Sequence, residues 1–231
     1  DVTARDLLDL YAYRDGAWVF VPSQPTVDGK ISARVDGVPQ AVTLVQASAL
    51  DPVIHTTIEI DESLNPNAAQ VSTIVSPAGL TPNLQGALVG SLAPGFAINS
   101  GYQVMPMIRN FDDPRAIDPQ TVPAILNNDS VREAHIQQVA AVALNGGYNG
   151  VFIDYRDIPA EQRALYSRFI RDLKTLLRAN GLKLGVVVPA AENRDGTWQT
   201  GGYDWRAIGQ HADYLTIQFS PNPADFTDGA D

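Results

Sequence analysis

Acidic side chains stand at the ends of several short apolar segments of this chain. Two carboxyl groups that face each other across a cleft are the usual minimum for hydrolysing a glycosidic bond. Each of these side chains has a simpler possible role, in which it caps the following helix and faces water, and for any single carboxylate that role is the commoner one. The candidate catalytic carboxylates are Glu59, Asp113, Asp154, Asp157 and Glu192.

Short apolar segments alternate with helical patterns from about residue 50 onwards. This alternation indicates βαβ units and a parallel sheet. In a TIM-type β/α barrel of eight units, the active site lies at the carboxyl ends of the strands, where the candidate carboxylates stand. Because only six units are visible, we expect either an incomplete barrel or a different, open α/β sheet. The predicted strands are residues 53–60, 71–75, 104–108, 151–155, 184–188 and 214–219.

The segments between these strands predict three helices with definable ends. Ser130 and Glu133 have the spacing of a capping box at the start of the first helix, which Gly146 and Gly147 end. Pro159 is predicted to begin the second helix, and Asp204 to cap a short third one. The predicted buried face of the second helix consists of Tyr166, Phe169, Leu173, Leu176 and Leu177.

Residues 1–48 carry strand signals and no helical periodicity. Asp15 and Gly16 stand between two alternating apolar segments, residues 10–13 and 18–21, which is a strong signal for a hairpin. We therefore predict two domains. Residues 1–48 form a small β-meander or the end of a β-sandwich, and residues 49–231 form the partial barrel.

The predicted fourth strand carries the most specific motif of the chain. Residues 147–156 read Gly-Tyr-Asn-Gly-Val-Phe-Ile-Asp-Tyr-Arg, which resembles the glycoside hydrolase family 18 signature D-G-x-D-x-D-x-E. The resemblance extends to residues 106–111, 127–134, 158–163, 203–204 and 212–214. Together these segments cover residues 53 to 219, and the resemblance implies the first six strands of a chitinase-like barrel of the spore-cortex-type branch.

The signature departs from the family at the positions that carry its chemistry. In the family, the terminal glutamate protonates the leaving oxygen, and the neighbouring aspartate orients the substrate acetamido group that acts as nucleophile. Here Arg156 stands in place of that glutamate, Phe152 and Asn149 replace two aspartates, and Asp154 alone is kept. The sixth-strand pattern M-x-Y-D is also lost at residues 218–221. The resemblance therefore implies a degenerate site, because arginine stays protonated and cannot act as the acid.

Strand alternation places Phe152, Asp154 and Arg156 on one inward face. Asp154 and Arg156 can form a charge-assisted pair there, which either binds a ligand or simply fills the mouth of the barrel as a salt bridge. Aromatic residues after the fifth strand can stack on sugar rings, although packing under a loop is the commoner fate. The candidate ligand-binding residues are Asp154, Arg156, Asn110, Trp198 and Tyr203.

The three histidines stand apart in the sequence and lack a spacing suited to zinc. His55 is predicted to face the barrel interior as a hydrogen-bonded core residue, whereas His135 and His211 are expected to be half-buried or at the surface. We therefore expect no metal site and no cofactor.

The composition narrows the range of partners. A net charge of −10 disfavours nucleic acids, and the absence of cysteine excludes disulfides and a thiol nucleophile. No apolar segment has the length of a membrane span, so membrane insertion is not expected. Since the chain opens at Asp1, we expect a piece of a longer exported protein, located outside the cell or at its surface.

Three functional hypotheses follow. The first is a catalytically degenerate barrel that binds carbohydrate or cell-wall glycan, with an N-acetylglucosamine-type polymer as a possible ligand. The second is an active glycosidase that uses other carboxylates at the mouth. The third is a purely structural surface module. The distance between carboxylates and the room around them would discriminate among the three.

Overall fold

The structure is a computed structural model that describes residues 8–26, 28–35, 37–46, 52–194 and 196–219. The chain divides into two compact units, residues 1–52 and residues 53–231. Each unit has its own sheets, and the candidate site lies in the second.

The first unit contains five short strands and no helix in its described residues. Strands β1, β2 and β5 form an antiparallel sheet in the order β2-β1-β5, and β3 pairs with β4 as a hairpin. The predicted Asp-Gly hairpin is confirmed, because Asp15 and Gly16 have φ angles of 50° and 84° and join β1 to β2. The strands are β1 (Leu8–Arg14), β2 (Ala17–Val21), β3 (Ser23–Pro25), β4 (Ile31–Ala33) and β5 (Ala41–Gln46).

The second unit alternates strands and helices, as predicted. Its strands are β6 (His55–Ile58), β7 (Ile74–Pro77), β8 (Leu80–Pro82), β9 (Leu88–Gly90), β10 (Gln103–Val104), β11 (Met107–Arg109), β12 (Gly150–Asp154), β13 (Lys183–Pro189), β14 (Glu192–Arg194), β15 (Thr197–Gln199) and β16 (Tyr214–Gln218). Its helices are α1 (Pro66–Val71), α2 (Thr121–Asn127), α3 (Asp129–Gly146), α4 (Arg163–Ala179) and α5 (Trp205–Gly209), and a 3-10 helix (Ala160–Gln162) precedes α4.

Parallel strands run side by side in the predicted chain order. One sheet has the order β10-β7-β6, and the other contains β16-β13-β12-β11 followed by the β8–β9 hairpin. The predicted third strand is split into β10 and β11 by Pro106, which has no N–H to donate. On one side the Met105 amide donates to Val75 at 3.0 Å, and on the other the Val104 and Pro106 carbonyls accept from Asn149 and Phe152, both at 2.8 Å.

These bonds join six parallel strand positions into one row, from β6 to β16. Within the described residues the two end strands of the row do not pair with each other, so the barrel is not closed. The prediction of βα units is therefore confirmed, and the closed barrel geometry is not reached by this part of the chain.

The predicted starts of the second strand and of helix α3 are wrong. Residue Val71 ends helix α1, which Asn65 caps, and the second strand begins only at Ile74. Helix α3 is capped by Asn128, whose side chain accepts from the amides of Ser130 and Val131, so the predicted Ser130–Glu133 capping box does not form. An Asn side chain two residues upstream reaches the same free amides, and sequence spacing alone does not choose between the two caps.

Helices α3 and α4 pack on one face of the strand row. Tyr166, Phe169, Leu173 and Leu177 of α4 are fully buried as predicted, whereas Leu176 is only partly buried. His135 of α3 is also fully buried, which contradicts the expected half-buried or surface position. Asp204 caps α5 by accepting from the Ala207 amide, as predicted.

The opposite face of the strand row is filled by a stack of rings. The imidazole of His55 lies on the ring of Phe152 with centroids 4.1 Å apart, and Tyr214 stacks on the other side at 6.2 Å. Gly185 makes room for Phe152, since a Cβ at that position would lie 2.2 Å from the ring. His55 also hydrogen-bonds the Ser76 hydroxyl at 2.8 Å, so its predicted interior position is confirmed.

Candidate ligand-binding site at the strand ends

Asp154 and Arg156 form a bidentate ion pair at the carboxyl end of β12. The Arg156 Nε and Nη2 atoms donate to the two Asp154 oxygens at 3.1 and 2.9 Å. Asp154 is only 3% exposed, so its charge needs this partner. The alternation predicted for this strand thus brings both side chains together on the face that Phe152 shares.

A second arginine, which sequence reasoning missed, extends the pair into a charge ladder. Arg109 at the end of β11 lies opposite Asp154 in the strand register, and its Nε is 3.8 Å from an Asp154 oxygen. Its Nη1 donates to both oxygens of Glu59, at 2.9 and 2.8 Å. The charge ladder therefore runs Glu59–Arg109–Asp154–Arg156 with alternating sign. Glu59, a candidate catalytic carboxylate, is held in an ion pair.

Phe111 and Asn110 fix the position of Arg156. The Arg156 guanidinium lies 4.3 Å from the centroid of the Phe111 ring, within the range of a cation–π contact. Asn110 accepts from the Arg156 amide at 2.8 Å and donates to the Arg156 carbonyl at 3.0 Å. Asn110, proposed from sequence as a ligand-binding residue, is itself buried and positions the backbone of Arg156.

A cleft of about 400 Å³ opens beside Arg156. The structure brings the predicted residues Asp154, Asp157, Glu192 and Tyr203 to its lining, with Asp157 and Glu192 exposed. Three glutamine and threonine side chains complete the polar lining. They are Gln199, Thr200 and Gln218.

Tyr203 supports the floor of this cleft. Its hydroxyl donates to the Tyr155 carbonyl at 2.9 Å and accepts from the Ile158 amide at 3.4 Å. Burial raises the pKa of the Tyr203 phenol well above its usual value, so the group stays neutral. Because only 4% of this residue is exposed, it braces the chain on both sides of Arg156.

Trp198 and Asp113 lie outside the cleft, as do the predicted residues Glu59 and Asn110. In the β14–β15 hairpin, Gln199 pairs with Glu192, and Trp198 pairs with Asn193 on the opposite face. Trp198 is 63% exposed and does not line the cleft. Asp113 is exposed and accepts from the Arg115 amide at 2.9 Å, which is a local turn contact and not a helix cap, because the next helix begins at Thr121.

Two histidines, His135 fully buried and His55 partly buried, are held neutral near the site. Burial, and then the positive charge of Arg109, lower the pKa of His55 to about 4. Burial lowers the pKa of His135 to about 4, against the opposing effect of its hydrogen bond to the Gly86 carbonyl. His135 also bonds the Tyr155 hydroxyl at 2.5 Å, which ties α3 to the residue between Asp154 and Arg156.

Neither a metal cluster nor a membrane span is found in the described part of the chain. No group of three or more His, Cys, Asp or Glu side chains there has an arrangement that would hold a metal ion. None of the helices among the described residues is long and apolar enough to cross a bilayer.

Comparison with known proteins relates the chain to glycosylases. No family model matches it. Over 98 residues it is 33% identical to the proposed sporulation-specific glycosylase YdhD of Bacillus subtilis, covering 42% of this chain and 23% of that protein. Over 116 residues it is 28% identical to the uncharacterized glycosylase YvbX of the same organism, covering 48% of the chain and 33% of the relative. The chain thus spans a third or less of these relatives.

Solved structures show the same fold. The spore cortex-lytic enzyme SleL of Bacillus megaterium QM B1551 superposes with a TM-score of 0.62 at 19% identity, over 81% of this chain and 47% of that one. The chitinase of Chromobacterium violaceum ATCC 12472 gives a TM-score of 0.58 at 24% identity, over 72% and 56%. The chain therefore has the mixed α/β fold of part of a chitinase.

Proposed function

We propose that this chain is a catalytically degenerate glycoside hydrolase family 18-like unit that binds carbohydrate without cleaving it. One observation carries the proposal. Arg156, at the position that aligns with the family's acid, is locked to Asp154 by two hydrogen bonds. We further propose that the unit lies outside the cell as part of a longer exported protein. The ligand that we propose for it is a glycan of the N-acetylglucosamine type.

The chemistry of arginine argues against hydrolysis by the family route. Breaking a glycosidic bond needs a proton on the leaving oxygen, and a positioned acid typically contributes about 10² to 10⁴ in rate. Arg156 keeps its proton at any useful pH. Its positive charge would also oppose the oxocarbenium-like charge that develops on the sugar in the transition state.

The cleft has the properties of a site for a hydroxyl-rich ligand. Its lining offers donors on Arg156, Gln199 and Gln218 and acceptors on Asp157 and Glu192. Its volume of about 400 Å³ lies within the range of small-molecule sites. The names of the relatives, glycosylase and chitinase, agree with a glycan as the ligand.

Assays of hydrolysis and binding on the same oligosaccharides test this proposal. We expect no release of product from chitin oligosaccharides and measurable binding by calorimetry. Arg156→Glu alone is not expected to restore hydrolysis, because Phe152 still fills the space of the aspartate that would support Asp154. Turnover by the unmodified chain that is abolished in Asp154→Asn would overturn the proposal.

A second candidate function is a glycosidase that uses different carboxylates. The observation in its favour is that Asp154, Asp157 and Glu192 all line one cleft. If this candidate is right, Asp157→Asn or Glu192→Gln removes all turnover of an active chain. Arg171→Gln on the outer face of α4 serves as the control and leaves turnover unchanged.

A further inference from the structure

Arg156 has one bidentate edge that the protein does not use. A guanidinium presents two such edges, one formed by Nε with one terminal nitrogen and the other by both terminal nitrogens. Asp154 takes the first edge through Nε and Nη2. Within the described residues, Nη1 makes no hydrogen bond or ion pair, so the second edge is left for a ligand.

The unused edge belongs to a rigidly held guanidinium, and Arg156 is one of the residues that line the cleft. Asp154 is almost fully buried, whereas 26% of the Arg156 side chain is exposed and lines the cleft. The Phe111 ring supports the guanidinium plane at 4.3 Å, and Asn110 holds the Arg156 backbone through two hydrogen bonds. A fixed guanidinium loses little side-chain entropy on binding, which makes it a strong recognition group.

From this geometry we propose that the cleft recognises a glycan carrying a carboxylate, which pairs with the Nη1–Nη2 edge of Arg156. The inference rests on the proposed glycan-binding function and adds the chemical class of the ligand. A planar carboxylate matches the two parallel N–H groups of that edge, whereas a sugar hydroxyl uses only one of them well. The acid group comes either from a uronic acid or from a lactyl ether on an amino sugar.

The other charges of the cleft limit where this carboxylate sits. Asp157 is exposed in the same cleft, directly after Arg156 in the chain. Its negative charge repels a ligand carboxylate placed towards it. The carboxylate of the ligand is therefore confined to the Nη1–Nη2 edge of Arg156. A glycan with one isolated carboxylate per disaccharide fits this arrangement better than one with a carboxylate on every sugar.

Calorimetry with three matched disaccharides tests the inference. The neutral probe is N,N′-diacetylchitobiose, and the acidic probes pair N-acetylglucosamine with N-acetylmuramic acid or with glucuronic acid. We expect at least one acidic probe to bind about 10- to 100-fold more tightly than the neutral one, the range for a charge-assisted bidentate pair. The two acidic probes distinguish the lactyl from the uronic source.

Substitutions of Arg156 and Asp157 test which side chains cause the preference for the acidic probe. Arg156→Lys keeps the charge and loses the fork, so it should remove most of the preference for the acidic probe. Arg171→Lys is the matched control, because Arg171 also donates through Nε and Nη2, to one oxygen of Asp172 on the exposed surface of α4, and this variant should keep the preference. Asp157→Asn should increase the preference by about two- to fivefold through lost repulsion, and Asn tolerates the positive φ of 55° at that position.

The outcomes separate the two proposals. Equal binding of acidic and neutral probes overturns the carboxylate inference and leaves glycan binding intact. A preference that persists in Arg156→Lys, with an unfolding temperature like that of the parent, places the carboxylate elsewhere and also overturns it. If Arg156→Lys fails to fold, the Asp157→Asn result decides, and an unchanged preference counts against the inference. No binding of any probe overturns both proposals.

Discussion

Asp154 and Arg156 depend on each other. A carboxylate that is almost fully removed from water is tolerated because Arg156 supplies two hydrogen bonds and Arg109 adds a second positive neighbour at 3.8 Å. Removing one partner of such a pair leaves the other charge buried and unpaired, whereas removing both does not. The arrangement therefore makes the pairing of Arg156 with Asp154 a requirement for stability.

This dependence predicts an asymmetric double-mutant cycle. Arg156→Met alone should lower the free energy of unfolding by about 3 kcal/mol, because it strands the Asp154 charge. The double variant Asp154→Leu/Arg156→Met should lose clearly less. Arg171→Met, which breaks an exposed pair with Asp172, should cost at most about 1 kcal/mol. Urea denaturation measures all three, and equal losses in the single and double variants would contradict the argument.

Sequence reasoning reached part of this site. Alternation along one strand correctly joined Phe152, Asp154 and Arg156, because side chains two residues apart share a face. Arg109 and Phe111 were missed, since the contact of Arg109 with Asp154 and that of Phe111 with Arg156 depend on the register between β11 and β12. That register is a long-range property, and no local pattern in a single sequence specifies it.

Helix α4 is the element that sequence periodicity described best. Its apolar residues recur at helical spacing, and Tyr166, Phe169, Leu173 and Leu177 are buried as predicted. The ends of other elements were placed less well, as at α1 and α3, because Asn65 and Asn128 cap those helices through short-range bonds that several nearby polar residues compete to make. A buried face is specified by many residues, whereas a helix end is decided by one or two.

The difference in burial between Leu173 and Leu176 predicts how much each side-chain truncation destabilises the chain. Leu173→Ala should lower the free energy of unfolding by about 2 to 5 kcal/mol, through lost burial and the cavity left behind. Leu176→Ala, on the same helix but only partly buried, should cost clearly less. Chemical denaturation of the two variants checks the assignment, and an unchanged midpoint for Leu173→Ala would show that the face is wrong.

At the scale of the whole molecule, the βα alternation predicted the order of the six parallel strand positions, and the closure of the barrel could not be predicted from it. Order follows from chain sequence and the short connections that parallel strands require. Closure depends on whether the edge strands β6 and β16 meet, which requires units beyond the six visible ones. The whole chain is acidic, with a net charge of −10. Its stability also depends on pH, because buried histidines change their protonation state when the chain unfolds.

His135 makes that dependence testable. Its Nδ1–H donates to the Gly86 carbonyl at 2.6 Å and its Nε2 accepts from the Tyr155 hydroxyl at 2.5 Å, so the neutral ring satisfies both contacts. Burial lowers the pKa of His135 to about 4 in the folded chain, against its ordinary value of 6.5. The unfolded chain therefore binds more protons between these values, and the stability contributed by neutral His135 is complete above pH 6.5 and is lost as the pH falls towards 4.

Lowering the pH from 7 to 5 should thus reduce the free energy of unfolding by about 2 kcal/mol on account of His135 alone. His55, whose pKa is also lowered to about 4, acts in the same direction, and its partial exposure makes its share smaller. Urea denaturation of the parent and of His135→Gln at both pH values measures the slope. The variant should be less stable at pH 7 and should lose less on acidification. A pH dependence identical in the two proteins would mean that His135 is not the buried neutral group described by its contacts with Gly86 and Tyr155.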